Sequence, residues 1–323
     1  MMRTFPEPVV LFSRCLGFEA CRYNGAMISE PAVEQLKPLV VAETACPEMA
    51  IGLGVPRSPV RLVERDQVVR LVQPDTDRDV TDDMIRFSQN RLAELPLLDG
   101  VILKWGSPSC GPRDVKRYTN AKPGASFSKG QGLFASKVTE AFPNVPVEDE
   151  GRLKNFEIRE HFLTRVYAGT ALRRVAEAGD VSQLMSFHAE HKLLLMAYNQ
   201  QKMRELGRIV ASIHASGFED GVTRYRRLFA EALSRAPRRN ANINVLMHAL
   251  GYVSDKLTPG EKAFFLDTLE AYRNRRICLS AAIRVMQSWI VRFEQSYLLA
   301  QAYFEPFPTA LVDTLDSGKG RAL

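Results

Sequence analysis

Along the first half of the chain, short β-branched apolar runs alternate with stretches whose apolar residues recur every three or four positions. PVVLFS (8–13), PLVVAETAC (38–46), DGVILKWGSPSC (99–110) and NVPVED (144–149) read as strands. SEPAVEQL (29–36), TDDMIRFSQNRLAEL (81–95) and LFASKVTEAF (133–142) read as helices. Thr81 followed by Asp82 and Asp83 suits a helix start, where acids complement the positive end of the dipole. This alternation predicts an α/β three-layer, open, mostly parallel sheet with helices on both faces. From about residue 155 the pattern is helical to the end. NFEIREHFLTRVYAGTALRRVAEAG (155–179) stops at Gly179, and the later segments are interrupted by Gly251 and Pro259. The second half therefore predicts an all-α domain, without an internal repeat. The polar stretch EDEGRLKN (148–155) is the expected hinge, dividing the chain into residues 1–155 and 156–323.

Each of the first three strands ends in a cysteine motif: Ser-Arg-Cys15-Leu-Gly, Ala-Cys46-Pro-Glu48 and Ser107-Pro-Ser109-Cys110-Gly. That edge is where open α/β sheets place ligands. Five widely spaced cysteines argue against a disulfide scaffold and toward metal or redox use. A structural zinc site commonly uses paired CxxC ligands, and no CxxC occurs. Cys278, between Ile277 and Leu279, reads as a small buried side chain in a helix, and Cys21 in CRYNG as part of a polar turn. Three converging thiolates suit a soft metal with one coordination position open, as in a [4Fe-4S] cluster with one iron free. A cysteine nucleophile is the competing reading. From the residues alone, Glu48 reads as an acid at a helix start after Pro47, and Ser107 as a turn residue before Pro108.

Charge changes the picture in the second half. The net charge is +6, and the whole excess lies in residues 181–323, because the first 180 residues balance. Arg224-Tyr-Arg226-Arg227, Arg238-Arg239 and Arg273-Asn-Arg275-Arg276 are basic clusters that suit phosphate and unstacked-base contacts, or else a solvated helical face. A polyanion, nucleic acid first, is the expected partner. His188 and His191 lie three apart, a spacing that favours a structural or RNA-contacting role over metal binding. GASFSKGQGLF (124–134) reads as a plain loop in preference to a phosphate cradle, since it lacks the full phosphate-loop spacing. No apolar run approaches the roughly 20 residues of a membrane helix, and the start lacks a signal-peptide pattern, so cytoplasmic residence is expected.

Six motifs then carry a resemblance. SRCLG, CRYNG, CPE followed by GLGVPR (52–57), SPSCG, GQGLFA (130–135) and VEDEGRL (147–153) occur in order and resemble the thiouracil desulfidase family over about the first half of the chain. FHAEHKLLLMA (187–197), ELGRIVA (205–211) and QAYFEPFP (301–308) resemble the helical domain fused to it in many bacteria. The combination is similar to bacterial tRNA 4-thiouridine desulfidases. The resemblance implies an oxygen-sensitive [4Fe-4S] cluster held by Cys15, Cys46 and Cys110, with Glu48 and Ser107 catalytic. Ser109 is nearly as good a serine candidate. Expected substrate or RNA contacts are Ser13, Arg22, Tyr23, Ser109 and Arg113, with Arg224, Arg226 and Arg227 in the helical domain. One departure is Ala50-Ile51-Gly52, where the family often has a Gly-Gly pair before Leu. The implied reaction replaces C=S by C=O in 4-thiouridine of tRNA, releasing hydrogen sulfide without an electron donor. Two alternatives stand beside it. One is desulfuration of free thiouracil or thiouridine, with the helical domain serving dimerisation or another partner. The other is a non-catalytic, metal-containing RNA-binding protein.

Overall fold

The computed structural model describes residues 3–65 and 67–312. In chain order the first half gives β1 (Val9–Ser13), α1 (Pro31–Leu36), β2 (Val41–Ala45), α2 (Pro47–Ala50), β3 (Arg61–Arg65), β4 (Val68–Gln73) and β5 (Arg78–Asp79). It continues with α3 (Thr81–Glu94), β6 (Gly100–Leu103), β7 (Val115–Tyr118), β8 (Phe127–Gly130), α4 (Leu133–Ala141) and β9 (Val147–Asp149). The apolar runs build the expected sheet, in the order β2-β1-β6-β9 with every pairing parallel. Val10 sits opposite both Ala42 and Gly100, which fixes the register.

Both faces of this sheet are covered, which is why β6 is apolar at every side-chain position and buried throughout. On one face Leu11, Val101 and Leu103 pack with Met84 of α3 and with Phe134 and Val138 of α4. On the other, Gly100 lies against Val166 and Phe162 of α5 (Phe156–Ala178), so close that an added Cβ would fall 2.8 Å from the valine methyl. Each fully buried Val, Leu or Phe contributes about 1.5–3 kcal/mol.

A second sheet, β5-β4-β3-β7-β8, was not apparent from the strand pattern. Its β3–β4 pair is an antiparallel hairpin, RLVER and VVRLVQ, with Leu62 opposite Leu71 in the core. The turn carries Gln67 at φ +64, where sequence signals favour Asn or Gly. β8 also runs through the stretch expected to be loop, residues 124–134. The amides of Gly132, Leu133 and Ala135 donate to the carbonyls of Gly111, Pro108 and Ser109, so they serve the SPSCG loop instead of a phosphate.

The second half is helical: after α5 come α6 (Val181–Glu190), α7 (Lys192–Tyr198), α8 (Gln200–Ser216), α9 (Phe218–Ala232), α10 (Arg239–Gly251), α11 (Pro259–Arg273), α12 (Leu279–Arg292) and α13 (Ser296–Leu299). Side-chain caps mark several starts: Asp180 on α6, Asn199 on α8, and a Thr258–Glu261 capping box on α11. Two compact units result, one gathering Pro6–Thr170 and the other Ala171–Pro308. The polar stretch 148–155 is tied down: Glu150 binds Lys104, Arg152 binds Glu148, and Asn155 caps the first turn of α5. Cys278 is exposed at the N-cap of α12, not buried within a helix. No helix among the described residues is long and apolar enough to cross a membrane.

Two further expectations resolve inside the helical unit. His191 is buried, stacks on Phe187 at 3.9 Å, and bonds the Phe187 carbonyl through Nδ1 at 2.8 Å. Burial and the nearby Arg3 push its pKa down to about 3. His188 Nδ1 meets the Tyr225 hydroxyl at 3.0 Å. Both histidines thus knit the aromatic core. Tyr225 is fully buried between the exposed Arg224 and Arg226, so it offers no surface for a base, and only the arginines of that cluster face solvent.

Candidate active site

Because β2, β1 and β6 are parallel neighbours, their carboxyl ends share one edge. Cys15 follows β1, Cys46 follows β2 directly, and Cys110 lies in the loop after β6. The three motifs meet there. Burial, then the neighbouring Cys46, push the Cys15 thiol up to about 11, while Lys104 and Arg22 pull the other way. Burial also raises Cys110 well above the ordinary thiol range, with Cys15, Glu48 and Cys46 adding to it and a hydrogen bond from Ser13 opposing it. Cys21 joins the group: burial, followed by the charge and hydrogen bond of Cys46, lift it to about 12. The Cys46 thiol also points at the Cys21 carbonyl at 3.7 Å. Cys21, expected in a polar turn, is thus a fourth thiol at this edge.

Buried thiols that disfavour one another's ionisation are what a cationic centre reverses. The donor set is soft, all sulfur, and on separate loops. Among the described residues, no group of three or more His, Cys, Asp and Glu has the spacing of ligands to a single ion. Soft sulfur donors on separate loops are the donor chemistry an iron–sulfur cluster takes, so Cys15, Cys46 and Cys110 are the residues that would hold one.

Beside the thiols stands a fixed carboxylate. Glu48 lies in the first turn of α2, two residues after Cys46 and directly after Pro47, and its side chain is 14% exposed. Its Oε2 accepts from Arg57 Nη2 at 2.6 Å and Nε at 3.0 Å. Its Oε1 accepts from Ser109 Oγ at 2.8 Å. Arg57 is more buried still, and its Nη1 donates to the carbonyls of Cys21 and Gly54. One guanidinium thus joins the carboxylate, the Cys21 loop and the Gly-rich turn of GLGVPR. Arg57 was not singled out from the sequence, where it stands only as the last residue of GLGVPR. Removing it leaves a largely buried carboxylate without its charge partner, so Arg57→Ala is expected to lower the unfolding free energy by about 3 kcal/mol, measured by urea denaturation.

The two serines divide their work. Ser109, fully buried, bonds Glu48. Ser107 Oγ accepts the amides of Ser109 at 3.2 Å and Cys110 at 3.0 Å, which shapes the SPSCG turn and leaves its hydroxyl proton to be donated elsewhere. Gly132 fits beneath this turn, where an added Cβ would fall 2.5 Å from the Ser109 carbonyl oxygen.

Other expected contacts fall in different places. Ser13 accepts the Lys104 amide at 2.9 Å and is buried against Cys110. Arg22 acts on Cys15 and lies 5.7 Å from the ring of Tyr23, which is exposed. Arg113 is engaged with the Val147 carbonyl and with Glu148. Arg224, Arg226 and Arg227 are exposed on α9, in the helical unit, where Arg227 reaches Glu231 at 4.0 Å.

Residues 10–150 match the model of a family described as 2-thiouracil desulfurase, and residues 192–308 match a family described as a protein of unknown function, DUF1722. The chain is 28% identical over 151 residues to the uncharacterized protein YbgA of Escherichia coli (strain K12), spanning 46% of this chain and 89% of YbgA. It is 30% identical over 149 residues to the uncharacterized protein YbbK of Bacillus subtilis (strain 168), spanning 44% of this chain and 97% of YbbK. A solved structure of the [4Fe-4S]-dependent thiouracil desulfidase TudS matches 48% of this chain and 98% of its own length, at 25% identity and a TM-score of 0.36. Through its α/β half, with the thiols and Glu48 at the sheet edge, the chain belongs to the 2-thiouracil desulfurase family.

Proposed function

We propose that this protein is a [4Fe-4S]-dependent desulfidase that converts 4-thiouridine in tRNA to uridine and hydrogen sulfide, with Cys15, Cys46 and Cys110 as the cluster ligands. The observation that carries the reading is the fixed Glu48 carboxylate within electrostatic reach of the Cys110 thiol at the strand edge. When bound, the cluster supplies a soft, open iron that favours thiocarbonyl sulfur over an oxo group and makes sulfide a better leaving group.

The protein's own groups do the rest. Glu48 Oε1 carries one neutral donor, Ser109, and keeps a lone pair for a proton from water. The water oxygen forms the new bond to the ring carbon, the carbon–sulfur bond breaks, and the water protons end on the departing sulfide. Arg57 holds the carboxylate in place throughout. Ser107 presents its hydroxyl proton to the ring or to the departing group. No electrons are exchanged with an outside donor. Cytoplasmic residence, where thiols stay reduced, suits this site.

The excess positive charge of residues 181–323 and the exposed Arg224, Arg226 and Arg227 support an RNA substrate. The family description, which mentions 2-thiouracil, favours a second reading, in which the free base is the substrate. Anaerobic turnover of thiolated tRNA, 4-thiouridine and 2-thiouracil across a salt series separates them. On the tRNA reading, turnover of thiolated tRNA at limiting concentration falls steeply between about 50 and 200 mM salt, while that of the small substrates stays flat. Turnover of the free base alone, insensitive to salt, selects the second reading. An iron-free, inactive protein that still binds RNA leaves the non-catalytic one.

A further inference from the structure

The chain has two tryptophans, and they are placed in opposite ways. Trp289 is buried on α12, whereas Trp105 is 57% exposed. Trp105 belongs to the loop that runs from β6 to Ser107 and Cys110. An indole left in water on a loop that carries site residues offers a flat aromatic face of the kind on which unstacked bases are held.

Its backbone is clamped on both sides. The Trp105 amide donates to Glu150 Oε2 at 2.7 Å, and its carbonyl accepts from Lys104 Nζ at 2.7 Å. Lys104 and the buried Glu150 also pair with each other. The Lys104 amide donates in turn to Ser13, the residue that hydrogen-bonds the Cys110 sulfur. Lys104 and Glu150 are both among the charges felt by Cys15. Gly151 lies beside the indole, where an added Cβ would reach Trp105 Cγ at 3.7 Å. The ring is thus tied by short links to the thiols while its side chain faces solvent. Lys104 Nζ lies 5.6 Å from the indole centroid and Arg22 lies 5.7 Å from the ring of the exposed Tyr23, so a cation accompanies each ring; what sets Trp105 apart is its clamped backbone on the loop that carries Ser107 and Cys110.

We propose that Trp105 is the plate on which the pyrimidine ring of the substrate stacks while its sulfur is at the thiol edge; this rests on the desulfidase reading above. The ligand class is a thiolated pyrimidine, free or splayed out of an RNA strand, since both present the same π-face. Stacking holds the ring without using its exocyclic groups, which leaves the sulfur and the adjacent carbon to Glu48 and Ser107. Bound product shares the face, so uridine competes.

The test compares Trp105→Phe, which keeps an aromatic face, with Trp105→Leu, which keeps bulk without one. Both are checked first for iron content and unfolding midpoint against wild type. For 4-thiouridine under anaerobic conditions, Trp105→Leu is expected to raise KM about tenfold with kcat unchanged, and Trp105→Phe to stay within about threefold of wild type. Uridine titrated into the full-length wild-type protein quenches indole emission, and the quenching disappears in Trp105→Leu, whose remaining tryptophan is the buried Trp289. A Trp105→Leu protein with wild-type KM overturns the proposal, as does uridine quenching that survives the substitution. Iron-loaded wild-type protein that neither binds uridine nor consumes any thiolated pyrimidine overturns the desulfidase reading itself, and this one with it.

Discussion

Glu48→Gln is expected to lower kcat on a thiolated pyrimidine by roughly a hundred- to ten-thousand-fold, with iron content and the visible spectrum of the cluster unchanged. The substitution suits the question because it preserves shape. A glutamine oxygen still accepts from Arg57, and its amide nitrogen donates to the Ser109 oxygen in place of the bond that Ser109 now gives. What disappears is a lone pair basic enough to take a proton from water. Truncation to alanine would empty a largely buried position and strand the Arg57 guanidinium, mixing a stability loss with the loss of chemistry. Anaerobic initial rates beside an iron assay decide the matter. Wild-type kcat in an iron-replete Glu48→Gln protein removes Glu48 from the reaction and returns it to the role of a helix-start acid after Pro47.

The division between what was readable in the sequence and what was not follows the range of the interactions. The parallel sheet was readable because its central strands β1 and β6 are continuous apolar runs, which a strand covered on both faces requires, and the PLVVAETAC stretch ahead of Cys46 supplied its edge neighbour β2. The site edge followed, since each run ends in a cysteine motif. The second sheet was missed because RLVER and VVRLVQ alternate charge with apolar side chains around a turn lacking its usual residues, with Gln67 in the left-handed region. Cys21 was set aside because its motif is polar, and only the return of the chain brings its thiol to Cys46. Arg57 was invisible for the same reason. Nothing local distinguishes an arginine closing a Gly- and Pro-rich loop from a solvated one; its meaning comes from Glu48 and the Cys21 carbonyl, which the fold supplies. Tyr225 shows the converse error. A basic, aromatic cluster in sequence became three exposed arginines and a buried core tyrosine once helical periodicity turned the ring inward.

Cys110→Ala, Cys15→Ala and Cys46→Ala are each expected to reduce iron from about four per chain to near zero after anaerobic reconstitution and desalting, whereas Cys21→Ala keeps its iron. The contrast matters because four thiols, not three, share this edge. Cys15, Cys46 and Cys110 each follow a different strand of one parallel set, so they approach from three separate loops. Cys21 sits on the loop after Cys15 and is hydrogen-bonded to Cys46, so the two sulfurs occupy one corner of the site between them. A cluster that needs an open iron for sulfur is served by three ligands, and a fourth thiolate would close that position. On the proposed ligand set, Cys21 acts as a hydrogen-bonding neighbour of the Cys46 sulfur. Its removal is expected to shift the reduction potential or spectrum of the cluster, since hydrogen bonds to ligand sulfur tune both, without releasing iron. Loss of iron in Cys21→Ala together with retention in Cys46→Ala would exchange the two residues in the ligand set, and with them the distance over which Glu48 must act.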